Sequence, residues 1–502
     1  MLGDDRRSRL LALGLDGAEF DFIRARARDL PTLSGLIERG TVHRLEAPKA
    51  LSGAVWPTFY NGAQPGVHGM YQHLVWDSAR MGLRLIGPDW SHYQPFWKDI
   101  EADGQRVVVL DVPYSFPTAL EHGVEITDWG THGQTNPLAS NKPEMVRRLR
   151  RFGRSPIGRE TPIEKTPAQL DGIRRTLETS AARKADLVRT LMGELDWDLF
   201  ITVFGETHRA GHLFFSDADD PNASADGAET PMLKVYKAVD QAVAKVLADL
   251  GSDVSVLLFS VHGMMRNPAQ EHMVSPLMDR LNARFMAEHF GLDPRPANAG
   301  GGIVGALRRL VPSRLQYAVG EAAPDPIRRW VVEREVIGGL DWSRTPGFTL
   351  RTDVRTELRL NLKGREKHGL LERGSDLHHR YVDDIRRTFL ELTDAETGAR
   401  LVDEVVDIPG HFSGQRSDYL PDFAVTWHLE PPAGSVTTPL LGTVHVKRPK
   451  VRGGDHTDFG FCSLIPADGL GVETLPQPRC IEDLAGYIRA FTGRWGAQAQ
   501  AA

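Results

Sequence analysis

Three unbroken apolar runs of strand length organise the chain, and each ends at a residue able to bind a metal. Residues 9–15 lead to Asp16 in LLALGLDG, residues 198–204 lead to His208 and His212 in DLFITVFGETHRAGH, and residues 254–260 lead to His262 in VSVLLFSVHGM. Runs that do not alternate with polar residues fit strands buried on both faces of a parallel sheet. Such sheets bind ligands outside the carboxyl ends of their strands. Residues far apart in sequence are therefore expected to meet on one rim.

Helical patterns alternate with these strands through residues 8–290. LPTLSGLIERG (30–40) predicts a helix closed by Gly40 at its C-cap. VVVLDVP (107–113) predicts another strand. Residues 166–192 predict a long helix, with Thr166 as N-cap, Pro167 in the first turn and Gln169 three residues on. Its stripe of Leu170, Ile173, Leu177, Ala181, Val188 and Leu191 reads as core packing. Thr230-Pro231 opens a similar helix, with Gly251 as its stop. Residues 292–345, with a Gly/Pro-rich neck and then arginine-rich stretches, read as an inserted helical cap. The core is then expected over 1–291 and 346–495, with strands at 401–408, 422–428 and 440–446, helices near 376–393 and 481–493, and a frayed tail at 496–502.

Composition narrows the function classes. At 502 residues and 41% hydrophobic, the chain can bury a large core. A net charge of −6, without a long basic run, argues against nucleic acid as the main partner. Two cysteines, Cys462 and Cys480, make neither a disulfide framework nor a cysteine metal cluster. The apolar segment before Asp16 is shorter than a signal h-region, and no apolar stretch is long enough for a membrane span. A cytoplasmic protein without membrane partners is the expectation.

The chemistry concentrates on the rim. His208 and His212, four residues apart, share one face if the segment is helical, which suits a chelate. His456, in the Gly-flanked loop GGDHTDFGF, offers a third imidazole for zinc or a similar ion. Asp16 and His262 suit a second ion, and paired ions are a standard device of phosphoryl transfer. Ser52 precedes AVWPTFYNG, where a starting helix places N–H groups and a dipole that favour an oxyanion. A metal there would lower the hydroxyl pKa and make it a nucleophile.

These blocks together resemble the alkaline phosphatase superfamily, in its type I phosphodiesterase/nucleotide pyrophosphatase branch. The resemblance covers LGLDG, PTLSGLIERG, WPTFYNGAQPGVHGM, GETHRAGH, SVHGM, NLKGRE and GGDHTDFGF. It implies an α/β, alkaline-phosphatase-like three-layer fold with a mostly parallel central sheet. It also implies two divalent ions, commonly zinc, flanking a Thr or Ser nucleophile. Counting back ten residues from Gly62, the Gly of the family's TG-x-x-P-x-x-HG block, reaches Ser52. The family's remaining ligands fall on Asp16, His208, His212, His262 and His456, with Ser52 as a further ligand.

The pattern departs from the family at two ligands. His208 stands where the family has Asp, and Val261 where it has the Asp of S-D-H-G. The mapped carboxylates drop from three to one, so one or two ions per chain are expected. Glu206 is a candidate replacement, and Asp455 and Asp458 are weaker ones. His73, or Gln72, and His132 are candidate substrate contacts. The implied activity is hydrolysis of a small-molecule phosphate ester through a covalent phospho-serine, of phosphodiesterase or pyrophosphatase type. The alternatives are a degenerate relative that binds phosphorylated ligands without turnover, or a sulfate or phosphonate ester hydrolase. No G-x-S-x-G follows a strand, no G-x-G-x-x-G follows the first strand, and neither cysteine sits in a C-x-P-S-R motif, against a serine hydrolase, a Rossmann oxidoreductase and a cysteine-dependent sulfatase.

Overall fold

The computed structural model describes residues 9–90, 94–131, 137–153, 157, 165–221, 229–268, 270–293, 331, 333, 339–350, 356–448, 453–472 and 474–499. Most of the expected cap, and His132, lie outside them.

The apolar runs form one central sheet. Its strands are β1 (Arg9–Leu15), β2 (Thr41–Glu46), β3 (Val107–Leu110), β4 (Val124–Thr127), β5 (Ala139–Ser140), β6 (Leu199–Phe204), β7 (Val254–Ser260) and β8 (Phe459–Ile465). They lie in the order β2-β8-β7-β1-β6-β3-β4-β5. The middle five are parallel, while β8 runs antiparallel to both β2 and β7, and β5 antiparallel to β4. Every residue of β6 and β7 is buried, as a strand covered on both faces requires.

Helices cover the two faces. Those used below are α1 (Phe20–Ala25), α2 (Pro31–Arg39), α3 (Val55–Asn61), α4 (Pro167–Glu194), α5 (Glu206–Phe214) and α6 (Pro231–Leu247). α4 begins with the expected capping box between Thr166 and Gln169, and its Leu177, Ala181, Val188 and Leu191 are buried. α6 ends at Leu247, before the Gly251 expected to stop it. Gly40 does follow α2, but with φ −94° it is not a left-handed cap. It is required by a close approach instead, since a Cβ there would lie 2.1 Å from Ser463 Oγ on β8.

Of the strands after residue 346, β8 joins the central sheet and the others do not. Gly347–Leu350, Thr356–Leu360, Phe423–Trp427 and Val402–Asp407 pair in that order as a separate antiparallel sheet. Helices Val274–Phe290 and Asp376–Leu390 pack on it around Leu281, Phe285, Tyr381 and Ile385. Gly442–His445 pairs elsewhere, with Ser435–Thr438. The terminal helix runs from Ile481 to Ala499, into the segment expected to fray.

Candidate metal centre

Strand register brings the site together. Leu15 of β1 is level with Phe204 of β6, and Gly14 with Phe259 of β7. The residues that leave these three adjacent strands therefore emerge at one height. Asp16 follows β1 directly, α5 starts two residues after β6, and His262 lies two residues past β7. Gly17, at φ +67°, turns the chain beside α5, where a Cβ would lie 2.9 Å from His208 Cα. The left-handed backbone and the contact both call for glycine here.

His208 and His212 lie one turn apart on α5, and His456 ends the short strand Gly454–His456. Their Nε2 atoms converge, with His456 2.9 Å from His208 and 2.9 Å from His212. His212 Nδ1 lies 2.9 Å from the carbonyl of Gly454. In the neutral ring Nδ1 is then the donor, and Nε2 carries its lone pair into the cluster. Three imidazole nitrogens this close can direct their lone pairs at one point, which suits a cation among them.

A second group shares His208. Asp16, His208 and His262 are all buried, with ligand atoms within 4.8 Å of one another. His262 Nε2 is 3.4 Å from Asp16 Oδ1, and its Nδ1 is 3.0 Å from the Gly263 carbonyl. A carboxylate oxygen and a ring nitrogen at that separation suit two ligands on one ion of tetrahedral preference. The donor set, four imidazoles and one carboxylate, fits zinc or a similar borderline ion.

Ser52 is buried in a single 3₁₀ turn, Ser52–Ala54, that runs into α3. Its hydroxyl caps neither helix, since the N-cap positions are Leu51 and Ala54. Trp56, one turn further on, donates its indole N–H to Asp16 Oδ1 at 2.9 Å and so ties this segment to the candidate ligands. Gln72 packs against the Ser52 turn, within 2.5 Å of where a Gly53 Cβ would stand. His73 instead stacks on Tyr114, with ring centroids 5.9 Å apart.

Glu206 does not reach either ligand group. Its carboxylate accepts from the Ser180 hydroxyl on α4, near Lys184 and Asp111. Burial pushes this carboxyl up, against the opposing pull of Ser180 and Lys184. Residues two apart on a helix face different ways, so the same α5 that aims His208 at the centre aims Glu206 away. Val261 is fully buried, in the apolar cluster that includes Trp56, Phe59 and Phe259. Asp455 receives the His456 N–H at 2.7 Å, which fixes the loop that presents this histidine. Sequence reasoning missed Lys184 and Asp111. The signal was present: Lys184 occupies an apolar-stripe position between Ala181 and Val188, where a buried charge needs a partner.

Among solved structures the chain is similar to phosphonoacetate hydrolase from Sinorhizobium meliloti 1021, crystallised with phosphonoformate, at 13% identity and a TM-score of 0.49, over 97% of this chain and 96% of that one. It is also similar to murine ectonucleotide pyrophosphatase/phosphodiesterase 5, in an inactive form in complex with AMP, at 10% identity and a TM-score of 0.49, over 97% and 95% of the two chains. At these scores no residue role or activity passes from either protein to this chain. No curated protein sequence matches it significantly. No helix among the described residues is long and apolar enough to cross a membrane. Residues 10–414 match the type I phosphodiesterase / nucleotide pyrophosphatase family, so the chain belongs to that family of phosphoric ester hydrolases.

Proposed function

We propose that the chain is a metal-dependent phosphate ester hydrolase, of phosphodiesterase or pyrophosphatase type, with Ser52 as nucleophile. The observation that carries this reading is the convergence of His208, His212 and His456 Nε2 atoms beside Asp16 and His262, which are linked through Trp56 to the Ser52 turn. A divalent ion held there would lower the pKa of a bound hydroxyl and neutralise charge on the phosphoryl oxygens.

Ser52 Oγ attacks phosphorus in line, the Oγ–P bond forms, and the bond to the leaving alcohol breaks. The departing oxygen takes up a proton. Water then attacks the phospho-serine from the opposite side, releasing phosphate or its monoester and returning Ser52. The Trp56 N–H holds Asp16 in place during both displacements, and Gln72, packed at Gly53, stands where a neutral donor to the phosphoryl group is useful. His73 and His132 are further candidate contacts to the substrate. Cys462 and Cys480 are free thiols, which supports a cytoplasmic setting.

Metal analysis of the purified protein with a panel of chromogenic phosphodiesters, monoesters, phosphonates and sulfate esters tests the reading. Metal-dependent turnover is expected, highest on a phosphate ester. Ser52→Ala should abolish it with the fold intact. Tight binding of phosphate without turnover of any ester would instead identify a non-hydrolytic relative.

A further inference from the structure

Beside the metal centre, under the carboxyl ends of β3 and β6, lies a second cluster of buried charge. Lys184 Nζ pairs with Asp111 Oδ2, at exposures of 1% and 0%. Asp111 directly follows β3 and sits at φ +59°, an uncommon conformation for a non-glycine residue. Its Oδ1 accepts the Trp129 N–H at 2.8 Å, and the Trp129 ring lies 5.7 Å from Lys184 Nζ. Ser180, one turn before Lys184 on the same face of α4, donates to the carboxylate of Glu206, which also feels Lys184 and Asp111 electrostatically. Glu206 is the first residue of α5.

Such a cluster is poor value as a stabiliser. Desolvating an ammonium and two carboxyl groups offsets most of their attraction, and well-packed apolar side chains usually do as well. Its geometry suggests another task. α5 supplies two of the candidate ligands, and its first turn is fixed on both sides. Thr207 Oγ donates to the Asp16 carbonyl at 2.6 Å on the metal side, and Glu206 accepts from Ser180 on the other. Lys184 pairs with Asp111 and attracts the Glu206 carboxyl, so its removal leaves the Asp111 carboxylate unpaired in a buried site and takes the attraction from Glu206 at the start of α5.

We propose that Lys184, through Asp111 and Glu206, is a positioning residue that sets the rotation and depth of α5 and so holds His208 and His212 in metal-binding geometry. This inference rests on the metal-centre reading above.

The test uses cobalt(II) alone, on the full chain stripped of metal. Binding is measured by calorimetry, ligand geometry by visible absorption, and apo stability by urea unfolding, for wild type, Lys184→Met, Lys184→Arg and the double variant Lys184→Met/Asp111→Asn, in which Asn keeps an acceptor for the Trp129 N–H and tolerates the left-handed backbone. Outer-shell partners typically change metal affinity by about 10–100-fold. Lys184→Met should therefore bind cobalt at least about ten-fold more weakly, with a changed spectrum, and Lys184→Arg should recover part of the loss. The double variant separates positioning from packing: apo stability should return toward wild type while the cobalt defect persists. Should it fail to fold, the near-isosteric Glu206→Gln carries the same expectation. Wild-type cobalt affinity and spectrum in the folded double variant, or in Glu206→Gln, would overturn the proposal alone. A wild type that binds no cobalt would overturn the metal centre and this proposal with it.

Discussion

The indole N–H of Trp56 donates to Asp16 Oδ1 at 2.9 Å, with both side chains buried. Trp56 lies four residues after Ser52, so one side chain connects the Ser52 segment to the carboxylate at the end of β1. A carboxylate held by a fixed donor keeps its second oxygen aimed and its charge localised. Trp56→Phe keeps most of the ring volume and removes the donor. Losing one hydrogen bond to a buried carboxylate costs about 1–3 kcal/mol. We expect urea unfolding to shift by that amount in the metal-free protein. Turnover should fall more than substrate affinity, because Asp16 and Ser52 would lose their common register. Equal kcat in variant and wild type would remove Trp56 from the mechanism.

His208 belongs to both candidate ligand groups. A neutral imidazole offers one lone pair, so it serves one ion at a time. The three-histidine group is therefore expected to hold one ion tightly, and Asp16 with His262 and Ser52 a second one weakly. On dialysis one equivalent should remain, and a second should return with added metal or phosphate. Val261→Asp examines the same point from the other side. It places a carboxylate in an apolar cluster, which should destabilise the metal-free protein by about 2–4 kcal/mol. Excess zinc should then raise the melting temperature of the variant more than that of wild type. Two tight equivalents in wild type, with no added zinc response in the variant, would refute the weak second site.

The convergence of the candidate ligands was legible in sequence because its signals are local. A polar residue after an unbroken apolar run marks a strand end, and a four-residue spacing marks one helix face. β1, β6 and β7 and the placing of Asp16, His208, His212 and His262 follow from those two rules. His456 followed only from its resemblance and its Gly-flanked loop, since nothing in its local pattern says that Gly454–His456 pairs with Met264–Arg266. Glu206 was misplaced although the rule that excludes it was available: a residue two before His208 cannot share its face. The antiparallel sheet after residue 346 was legible as strands but not as a separate sheet. Pairing depends on partners more than sixty residues away, such as Leu358 with Phe423, and strand propensity carries no such information.

Glu19 gives the chain a pH-dependent stability that is separable from its metal chemistry. The residue caps α1, three residues after Asp16, and its Oε1 accepts the Asp21 N–H at 3.2 Å. Its other oxygen lies against Gly263, where a Cβ would come within 1.9 Å. Burial raises this carboxyl from 4.5 to about 7, against the pull of the Asp21 N–H. Between those two values the folded state holds a proton that the unfolded state has released. Stability is then fullest below pH 4.5, falls as pH rises, and has lost the whole contribution above pH 7. The ceiling on that loss is about 3 kcal/mol, at about 1.4 kcal/mol for each unit of displacement. Glu19→Gln cannot ionise. It keeps an acceptor for the Asp21 N–H and should forfeit about 1 kcal/mol for the poorer match at its second atom. Every other ionisable group is common to both proteins, so the difference between the two urea-stability profiles isolates Glu19. For the metal-free chains, that difference should change by about 2–3 kcal/mol in favour of the variant between pH 4.5 and pH 8. Parallel profiles would show that Glu19 ionises as readily in the fold as outside it.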